Sequence, residues 1–355
     1  MTVGNMITLG IMAVVLIVGI IYMVSHFKNH QREEGIADSI IMFGAEIIAT
    51  SFGTLDDKIF AFLSHKDVDT NYAQLISGFI LIGIGLFLMF HSKNKMYILN
   101  LNGMFHDRRI DNHHKEVGLS PFQFKEKEVD FVRLYKKTMT AEVASEIVEE
   151  IKHKVEVFKQ ESKDKKRGYT GIASIPFVLL AGKYFERSIM NEYFEYDKFQ
   201  QVYYRLTSQS RFLNLTLAQN DSITRLQSTQ CEEIAIAISI TASISDEQLA
   251  QFTCPHVHLS VSNPDDNLIK HNEQLRSYVK TAHDVLKDAH GKLSNLKKIH
   301  LIISSQSCFA FELGQLIEDT RMPMVISYQY YAQSVPKYPW GIIINGDQKG
   351  NFVQS

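Results

Sequence analysis

The amino-acid sequence predicts an α/β protein in which N-terminal transmembrane helices are followed by two related halves with parallel sheets. Three observations support this fold class. Two long segments near the N-terminus contain no charged residue, helix-like and strand-like segments alternate beyond residue 120, and the order of these segments recurs at an offset of 132 residues.

The two uncharged runs cover residues 6–24 and 73–90, which is 19 and 18 residues. As helices they would be about 27–28 Å long, close to the hydrocarbon thickness of a bilayer. Residues 1–5 contain no Lys or Arg, unlike the start of a secretory signal peptide. We therefore predict two uncleaved membrane-spanning helices, at about 6–24 and 73–90.

Basic residues indicate which side of the membrane the rest of the chain occupies. The stretch between the two runs contains four basic and eight acidic residues, whereas the chain after the second run begins with Lys93 and Lys95. Because basic residues favour the cytoplasmic side, we expect the large C-terminal part to be cytoplasmic. Lys28 and Arg32, between the two runs, count against this orientation.

The segment 36–51 is amphipathic when it is drawn as a helix. Asp38 and Glu46 fall within one narrow polar arc, and isoleucines occupy much of the remaining surface. Such a helix can lie in the membrane interface, line a water-filled path once several copies assemble, or simply pack on its neighbours. Asp38 and Glu46 are the candidate pore-lining residues.

The first half of the C-terminal part begins with a helix. Apolar residues from Ala144 to Phe158 are spaced 4-3-4-3, which places them on one helix face, and Thr140 can cap its N-terminus. A strand at 169–174, a helix beginning near Pro176 and a strand at 192–196 follow.

The second half repeats this order, with a helix at 272–289, a strand at 298–304, a helix from Ser307 and a strand at 324–328. Gly182 lies 14 residues before a tyrosine, Tyr196, and Gly314 lies 14 residues before Tyr328. A period this long indicates a duplicated domain rather than a solenoid.

Further strands are predicted at 233–240 and 256–262. We expect a membrane domain over 1–92, a connecting segment over 93–139 and a cytoplasmic domain over 140–355, whose halves are 140–250 and 251–355.

Hydroxyl-rich junctions between strands and helices predict a binding site. In open parallel sheets, ligands bind at the carboxyl ends of strands, and a helix N-terminus suits phosphate. The junctions lie at 174–177, 241–245 and 304–307. Two similar halves would form a nearly two-fold symmetric pocket, which suits a symmetric anion such as a cyclic oligonucleotide. Ser and Thr are also common helix caps without any ligand.

The segments 299–331, 171–185 and 193–199 resemble SAVED-domain proteins, in which two CARF-like, Rossmann-like halves are fused. The resemblance covers about residues 165–345 and rests on a strand, a hydroxyl-rich loop, an apolar helix ending in Leu-Gly-Gln, and a strand ending in Tyr. Ser305, Gln306 and Ser307 depart from the more aliphatic, proline-containing loop that is usual in the family. With its N-terminal helices, the whole chain is similar to the two-transmembrane SAVED effectors.

This resemblance implies a function in CBASS anti-phage signalling. It implies that a CD-NTase, the partner nucleotidyltransferase, makes a cyclic di- or trinucleotide that binds between the halves. The protein would then form a homo-oligomer and open an ion channel or permeabilise the bacterial inner membrane. The residues that we expect to contact the ligand are Ser174, Phe177, Lys183, Tyr204, Thr241, Ser243, Ser304, Ser305, Gln306, Phe309 and Tyr328.

Charge and motifs exclude several other functions. With 37 basic and 39 acidic residues, the chain lacks the basic surplus that long nucleic acids require. The three cysteines are too few and too widely spaced for a disulfide framework. Cys254, His256 and His258 share one strand face, but no CxxC or HxxxH motif accompanies them, so we expect no metal site and no cofactor.

Two alternatives to an effector remain open at this point. One is a membrane-anchored phosphodiesterase that degrades the cyclic nucleotide, with Ser305 or Lys183 activating a ribose hydroxyl. The other is an anchor that only recruits another protein. We favour the effector, which is not an enzyme.

Overall fold

The computed structural model of the chain describes residues 17–26, 32–53, 71–105, 109–120, 123–186, 188–208, 218–219, 223, 226 and 231–355. The chain divides into two compact units. The first contains Met1–Lys95 together with the short loop Lys163–Lys165, and the second contains Met96–Ser162 and Lys166–Ser355.

The described part of the first unit consists of three helices, which are α1 (Ile17–His26), α2 (Arg32–Ser51) and α3 (Tyr72–Lys93). Among the described helices, α3 alone is both long and apolar enough to cross a membrane. It includes the whole of the run predicted at 73–90. Residues 6–16 of the other predicted span lie outside the described residues.

Helices α2 and α3 pack in opposite directions through small residues. A Cβ atom added to Gly78 would lie 2.7 Å from the carbonyl oxygen of Gly44, and one added to Gly85 would lie 3.0 Å from that of Ala37. Only residues without large side chains allow two helix backbones to approach so closely.

The predicted amphipathic segment 36–51 is helical, but its polar stripe is divided. Asp38 is 7% exposed, and its carboxylate lies 2.6 Å from Nδ1 of His26 in α1. Glu46 is exposed. The two candidate pore-lining residues therefore have different surroundings within one chain, because α1 packs over the part of α2 that contains Asp38.

In the second unit, a five-stranded sheet has the order β2-β1-β3-β4-β5, and only β5 is antiparallel to its neighbour. Its strands are β1 (Met96–Asn102), β2 (Phe124–Asp130), β3 (Lys166–Ile172), β4 (Glu192–Asp197) and β5 (Val202–Arg205). Two of these strands, β1 and β2, lie in the segment 93–139, which we predicted to be a connection. The charged sequence of β2 explains why it was missed, since it is an edge strand with a partly exposed face.

A seven-stranded sheet has the order β12-β11-β10-β9-β7-β8-β6, with a parallel centre and antiparallel edges. Its strands are β6 (Ala218–Gln219), β7 (Glu233–Ser239), β8 (His256–Ser260), β9 (Lys298–Ser304), β10 (Met324–Gln329), β11 (Trp340–Ile343) and β12 (Phe352–Gln354). The strands predicted near 233, 256, 298 and 324 are confirmed. Because β7 pairs with β9, this sheet starts well before residue 251, where we expected the second half to begin.

The helices of this unit are α4 (Ile110–His113), α5 (Val132–Tyr135), α6 (Ala141–Glu161), α7 (Ile175–Phe185), α8 (Asp246–Leu249), α9 (Asn272–Lys292) and α10 (Ser307–Leu316). The apolar stripe predicted from Ala144 to Phe158 is buried on α6, and the Thr140 hydroxyl accepts a hydrogen bond from the amide of Val143. These sequence predictions are confirmed.

The repeated glycines lie where α7 and α10 cross. A Cβ on Gly182 would lie 2.0 Å from the carbonyl oxygen of Phe311, and a Cβ on Gly314 would lie 2.0 Å from that of Leu179. The two contacts are reciprocal, since Gly182 and Gly314 are separated by the same 132 residues as Leu179 and Phe311. The duplication predicted from the sequence is therefore visible as an internal two-fold contact between the halves.

Candidate ligand-binding site

Two of the predicted hydroxyl-rich loops meet at the carboxyl ends of β7 and β9. The hydroxyl of Ser304 lies 2.9 Å from that of Thr241 and accepts a hydrogen bond from the amide of Ala242. The carbonyl oxygen of Ser304 accepts hydrogen bonds from the amides of Ile240 and Thr241. These bonds hold the loops side by side, with Ser243 exposed and Ser305 partly exposed.

A hydrogen-bond network connects the two halves beside these loops. The side-chain amide of Gln306, at the N-cap of α10, donates to the hydroxyl of Tyr204 in β5 at 2.6 Å and to the carbonyl of Ile269 at 3.1 Å. Its oxygen accepts from the Ile269 amide at 2.5 Å. The structure thus brings together Tyr204 and Gln306, two predicted contacts that are 102 residues apart in the chain.

The N-terminus of α10 is already occupied by a carboxylate that sequence reasoning missed. Glu195 in β4 is 6% exposed, and its carboxylate accepts a hydrogen bond from the amide of Cys308 at 2.6 Å. Burial raises the pKa of Glu195 to about 7, although the Cys308 thiol and the backbone amides of Cys308 and Ser307 act in the opposite direction. A ligand phosphate is therefore not expected at the first amides of this helix, because a carboxylate of the protein itself binds there.

Beside Glu195, Tyr169 in β3 extends the link between the halves. Its hydroxyl lies 2.7 Å from that of Ser307, and its ring stacks on Phe311 with 3.9 Å between centroids. One feature of the sequence could have indicated that Glu195 is buried. It is an acidic residue on the same strand face as Tyr193, and Tyr193 is buried.

The predicted contacts near α7 are more deeply buried. Ser174, the N-cap residue, is 1% exposed, and Phe177 lies in the core 5.6 Å from the ring of Trp340. Phe309 of α10 is also a core residue. In this conformation, these side chains pack in the core beneath the strand ends and are not exposed to solvent.

Two further residues that we expected to contact the ligand interact with other groups of the protein. Lys183 donates to the carbonyl of Ile317 at 2.7 Å and lies 3.1 Å from the carboxylate of Asp319. The hydroxyl of Tyr328 lies 2.8 Å from Nδ1 of His300, within a second cluster of buried residues. Each of these two side chains therefore already has a partner in the protein.

His256 and His258 lie in β8 near an acidic residue, whereas Cys254 precedes this strand. Ligand atoms of His256, His258 and Asp246 lie within 4.8 Å of one another, and Cys254 is not part of this group. His258 is 3.0 Å from the carboxylate of Asp246, and His256 is 2.9 Å from the carbonyl of Phe252. An ordinary hydrogen-bonded pair at the protein surface makes the same contacts. The Asp246 side chain is 84% exposed, which fits such a pair.

An open concavity along α6 has the wrong charge for an anion. Glu142, Glu146, Glu149, Glu150 and His153 are among the residues that line it, and all of them belong to this one helix. A negative potential repels phosphate groups. The hydroxyl loops at 241–245 and 304–307 are therefore the better candidate site.

Comparison with known proteins gives a family match for this part of the chain. A family model described as "SMODS-associated and fused to various effectors sensor domain", abbreviated SAVED, matches residues 151–344. No curated protein matches the sequence.

Solved structures of low sequence identity are similar to this chain. One is the Cap4 SAVED/CARF-domain containing receptor of Acinetobacter baumannii with the cyclic trinucleotide 2'3'3'-cAAA, at 15% identity and a TM-score of 0.50, over 76% of this chain and 56% of that chain. Another is the Cap4 receptor of Moraxella osloensis, at 15% identity and a TM-score of 0.42, over 73% of this chain and 52% of that chain. The matched region thus spans little more than half the length of these receptors.

Proposed function

The chain belongs to the SAVED family of sensor domains, and on this premise we propose that it is a membrane effector of bacterial antiviral defence. In this proposal, the SAVED domain binds a cyclic oligonucleotide made by a CD-NTase. Binding favours a homo-oligomer, in which the N-terminal helices open a channel or disrupt the inner membrane. The observation that carries the proposal is the pair of hydroxyl loops held together by Ser304, beside the link from Tyr204 to Gln306.

The chemistry of these loops suits a cyclic nucleotide. Exposed hydroxyls and backbone amides at strand ends donate hydrogen bonds to phosphate and ribose oxygens without a large positive charge. This agrees with the near balance of 37 basic and 39 acidic residues. Since the Cap4 receptor of A. baumannii was solved with 2'3'3'-cAAA, cyclic trinucleotides are the first probes to use, and cyclic dinucleotides are the second.

A sensor is a better proposal than a phosphodiesterase. The enzyme hypothesis needs Ser305 or Lys183 to activate a ribose hydroxyl. The hydroxyl of Ser305 donates to the backbone carbonyl of Gln306, which is not a base that could activate it, and Lys183 is bound to Ile317 and Asp319. Chromatography of the ligand after long incubation separates the two hypotheses, since a sensor returns the ligand intact and an enzyme does not.

Binding measurements on purified full-length protein in detergent test the site. We expect one of the cyclic nucleotides to bind, and we expect Ser243→Ala and Ser305→Ala each to weaken binding. A lost hydrogen bond to a charged group costs about 1.5–3 kcal/mol, which corresponds to roughly a 10- to 100-fold higher Kd.

Ser145→Ala is the matched control, because it removes a hydroxyl from the exposed face of α6. Its affinity should equal that of the unchanged protein. Unaltered affinity in both loop variants would show that the ligand binds elsewhere.

A further inference from the structure

The second helix of the first unit has the dimensions and packing of a membrane helix. With 20 residues, α2 is about 30 Å long. It runs beside α3 from the contact of Ala37 with Gly85 to the contact of Gly44 with Gly78. In both helices these small residues are seven positions apart, so the close contact extends over about 10 Å.

Helix α1 packs on α2 in the opposite direction as well. A Cβ on Gly19 would lie 2.8 Å from the side chain of Met42, while His26, at the other end of α1, contacts Asp38. The three helices therefore alternate in direction. If α1 and α3 cross the membrane, this arrangement places α2 at the same depth as both of them.

Hydropathy does not identify α2 as a membrane helix, because it contains five charged residues, Arg32, Glu33, Glu34, Asp38 and Glu46. The fold accounts for them. Arg32, Glu33 and Glu34 lie in the first turn, and Asp38 is buried against His26. Glu46 is about 8 Å from the C-terminal end of α2, which is within reach of the headgroups for a carboxylate.

The charged first turn of α2 marks one end of the helix pair. Glu33 pairs with Lys95 at 2.8 Å, and Glu34 pairs with Lys165 and accepts a hydrogen bond from Ser92. Lys95 immediately precedes β1, so this end of the pair is the one from which the chain continues into the second unit. Away from this end, the outer surface of α2 exposes Ile36 and Phe43, as expected for a lipid-facing surface.

The distribution of basic residues independently favours three crossings. With two crossings, Lys28 and Arg32 lie on the opposite side of the membrane from Lys93 and Lys95. With three crossings, all four residues lie on the same side. Basic residues accumulate on the cytoplasmic side, so three crossings remove the conflict in the charge pattern.

We propose that α2 is a third membrane-spanning helix whose outer face contacts lipid acyl chains. The Arg32 end of α2 then lies on the cytoplasmic side of the membrane, and its Ser51 end lies on the opposite side. The inference rests on the proposed membrane location, and it replaces the two-crossing topology predicted from the sequence.

Cysteine labelling of the full chain in bacterial spheroplasts tests this topology. We expect a membrane-impermeant maleimide to label Thr50→Cys in intact spheroplasts. Asn29→Cys should be labelled several-fold more strongly after the membrane is permeabilised. The unchanged protein is the control, because its cysteines, Cys231, Cys254 and Cys308, are all in the second unit.

Other labelling patterns would overturn the proposal. Labelling of both variants in intact spheroplasts would place α2 outside the membrane on the far side, and labelling of neither would place it on the cytoplasmic side. Sedimentation separates this failure from that of the proposed function. A chain that stays in the supernatant after cell breakage is not a membrane protein, whereas a sedimenting chain with a different labelling pattern contradicts only the third crossing.

Discussion

At the scale of single residues, Glu195 is the most unusual group in the candidate site. It binds the N-terminus of α10 from the other half of the SAVED domain, so it joins the two halves. Its carboxylate is buried beside the hydroxyl-bearing Tyr169 and the thiol of Cys308, and burial holds its pKa near 7. The charge buried at this contact therefore depends on the protonation state of a single side chain.

This buried carboxyl group should make stability depend on pH. Because burial raises the pKa of Glu195 from 4.5 to about 7, the folded protein binds a proton between these values that the unfolded chain has released. The free energy of unfolding should therefore fall as the pH rises from about 4.5 to 7, by about 3 kcal/mol from this group. In Glu195→Gln, which keeps an acceptor for the Cys308 amide, this loss should disappear.

Thermal unfolding of the full chain in detergent at pH 5 and pH 8 measures the effect. The melting temperature of Glu195→Gln should exceed that of the unchanged protein at pH 8 and approach it at pH 5. Glu146→Gln, on the exposed face of α6, serves as the control for a carboxylate removed elsewhere. Equal differences at both pH values would mean that Glu195 is ionised throughout this range.

At the scale of elements, the crossing of α7 and α10 joins the two halves. Each helix contributes a glycine that faces the backbone of the other, and backbone atoms cannot move aside as the end of a flexible side chain can. The glycines are therefore required by the contact itself rather than by the conformation of either helix.

Adding a methyl group at this crossing should destabilise the SAVED domain. Gly182→Ala would place a Cβ 2.0 Å from a carbonyl oxygen, and Gly314→Ala would do the same on the symmetric side. Overpacking of this kind costs about 1–3 kcal/mol or more. Both variants should melt at clearly lower temperatures than the unchanged protein.

Gly291→Ala in α9 is the matched control, because nothing lies within 4 Å of its added Cβ. Alanine favours a helix over glycine by up to about 1 kcal/mol, so this variant should be unchanged or slightly more stable. A similar loss of stability at Gly291 would show that the effect does not arise from the helix crossing.

At the scale of the whole molecule, the proposed opening of a membrane is limited by the small number of helices per chain. Even three helices cannot enclose a water-filled path, so several chains must assemble. In the proposed mechanism, the ligand must bind the assembled form more tightly than the single chain, because only differential affinity shifts such an equilibrium. A pore would therefore need both the ligand and a sufficient density of protein.

Dye release from liposomes that contain the full chain tests this requirement. We expect release only with the cyclic nucleotide that binds, at a rate that rises more steeply than linearly with the amount of protein per liposome. Ser305→Ala should need a higher ligand concentration for the same rate, whereas Ser145→Ala should not. Binding without any release would leave a sensor that recruits another protein to the membrane.

Much of the local structure was predictable from periodicity. The apolar stripe of α6, the strands at β7, β9 and β10, and the repeat marked by Gly182 and Gly314 all follow from patterns within one element or between equal positions. The hydroxyl loops were predictable too, because strand ends followed by helix caps are visible as residue types.

The sequence by itself determined several of the helices and strands beyond residue 140 and the 132-residue spacing that relates Gly182 to Gly314. Only the tertiary structure decided that β1 and β2 join the first sheet, that Glu195 occupies the N-terminus of α10, and that α2 packs between α1 and α3. The physical reason is that periodicity reports which face of an element is buried, whereas the partner of that face depends on residues as distant as Glu195 and Cys308.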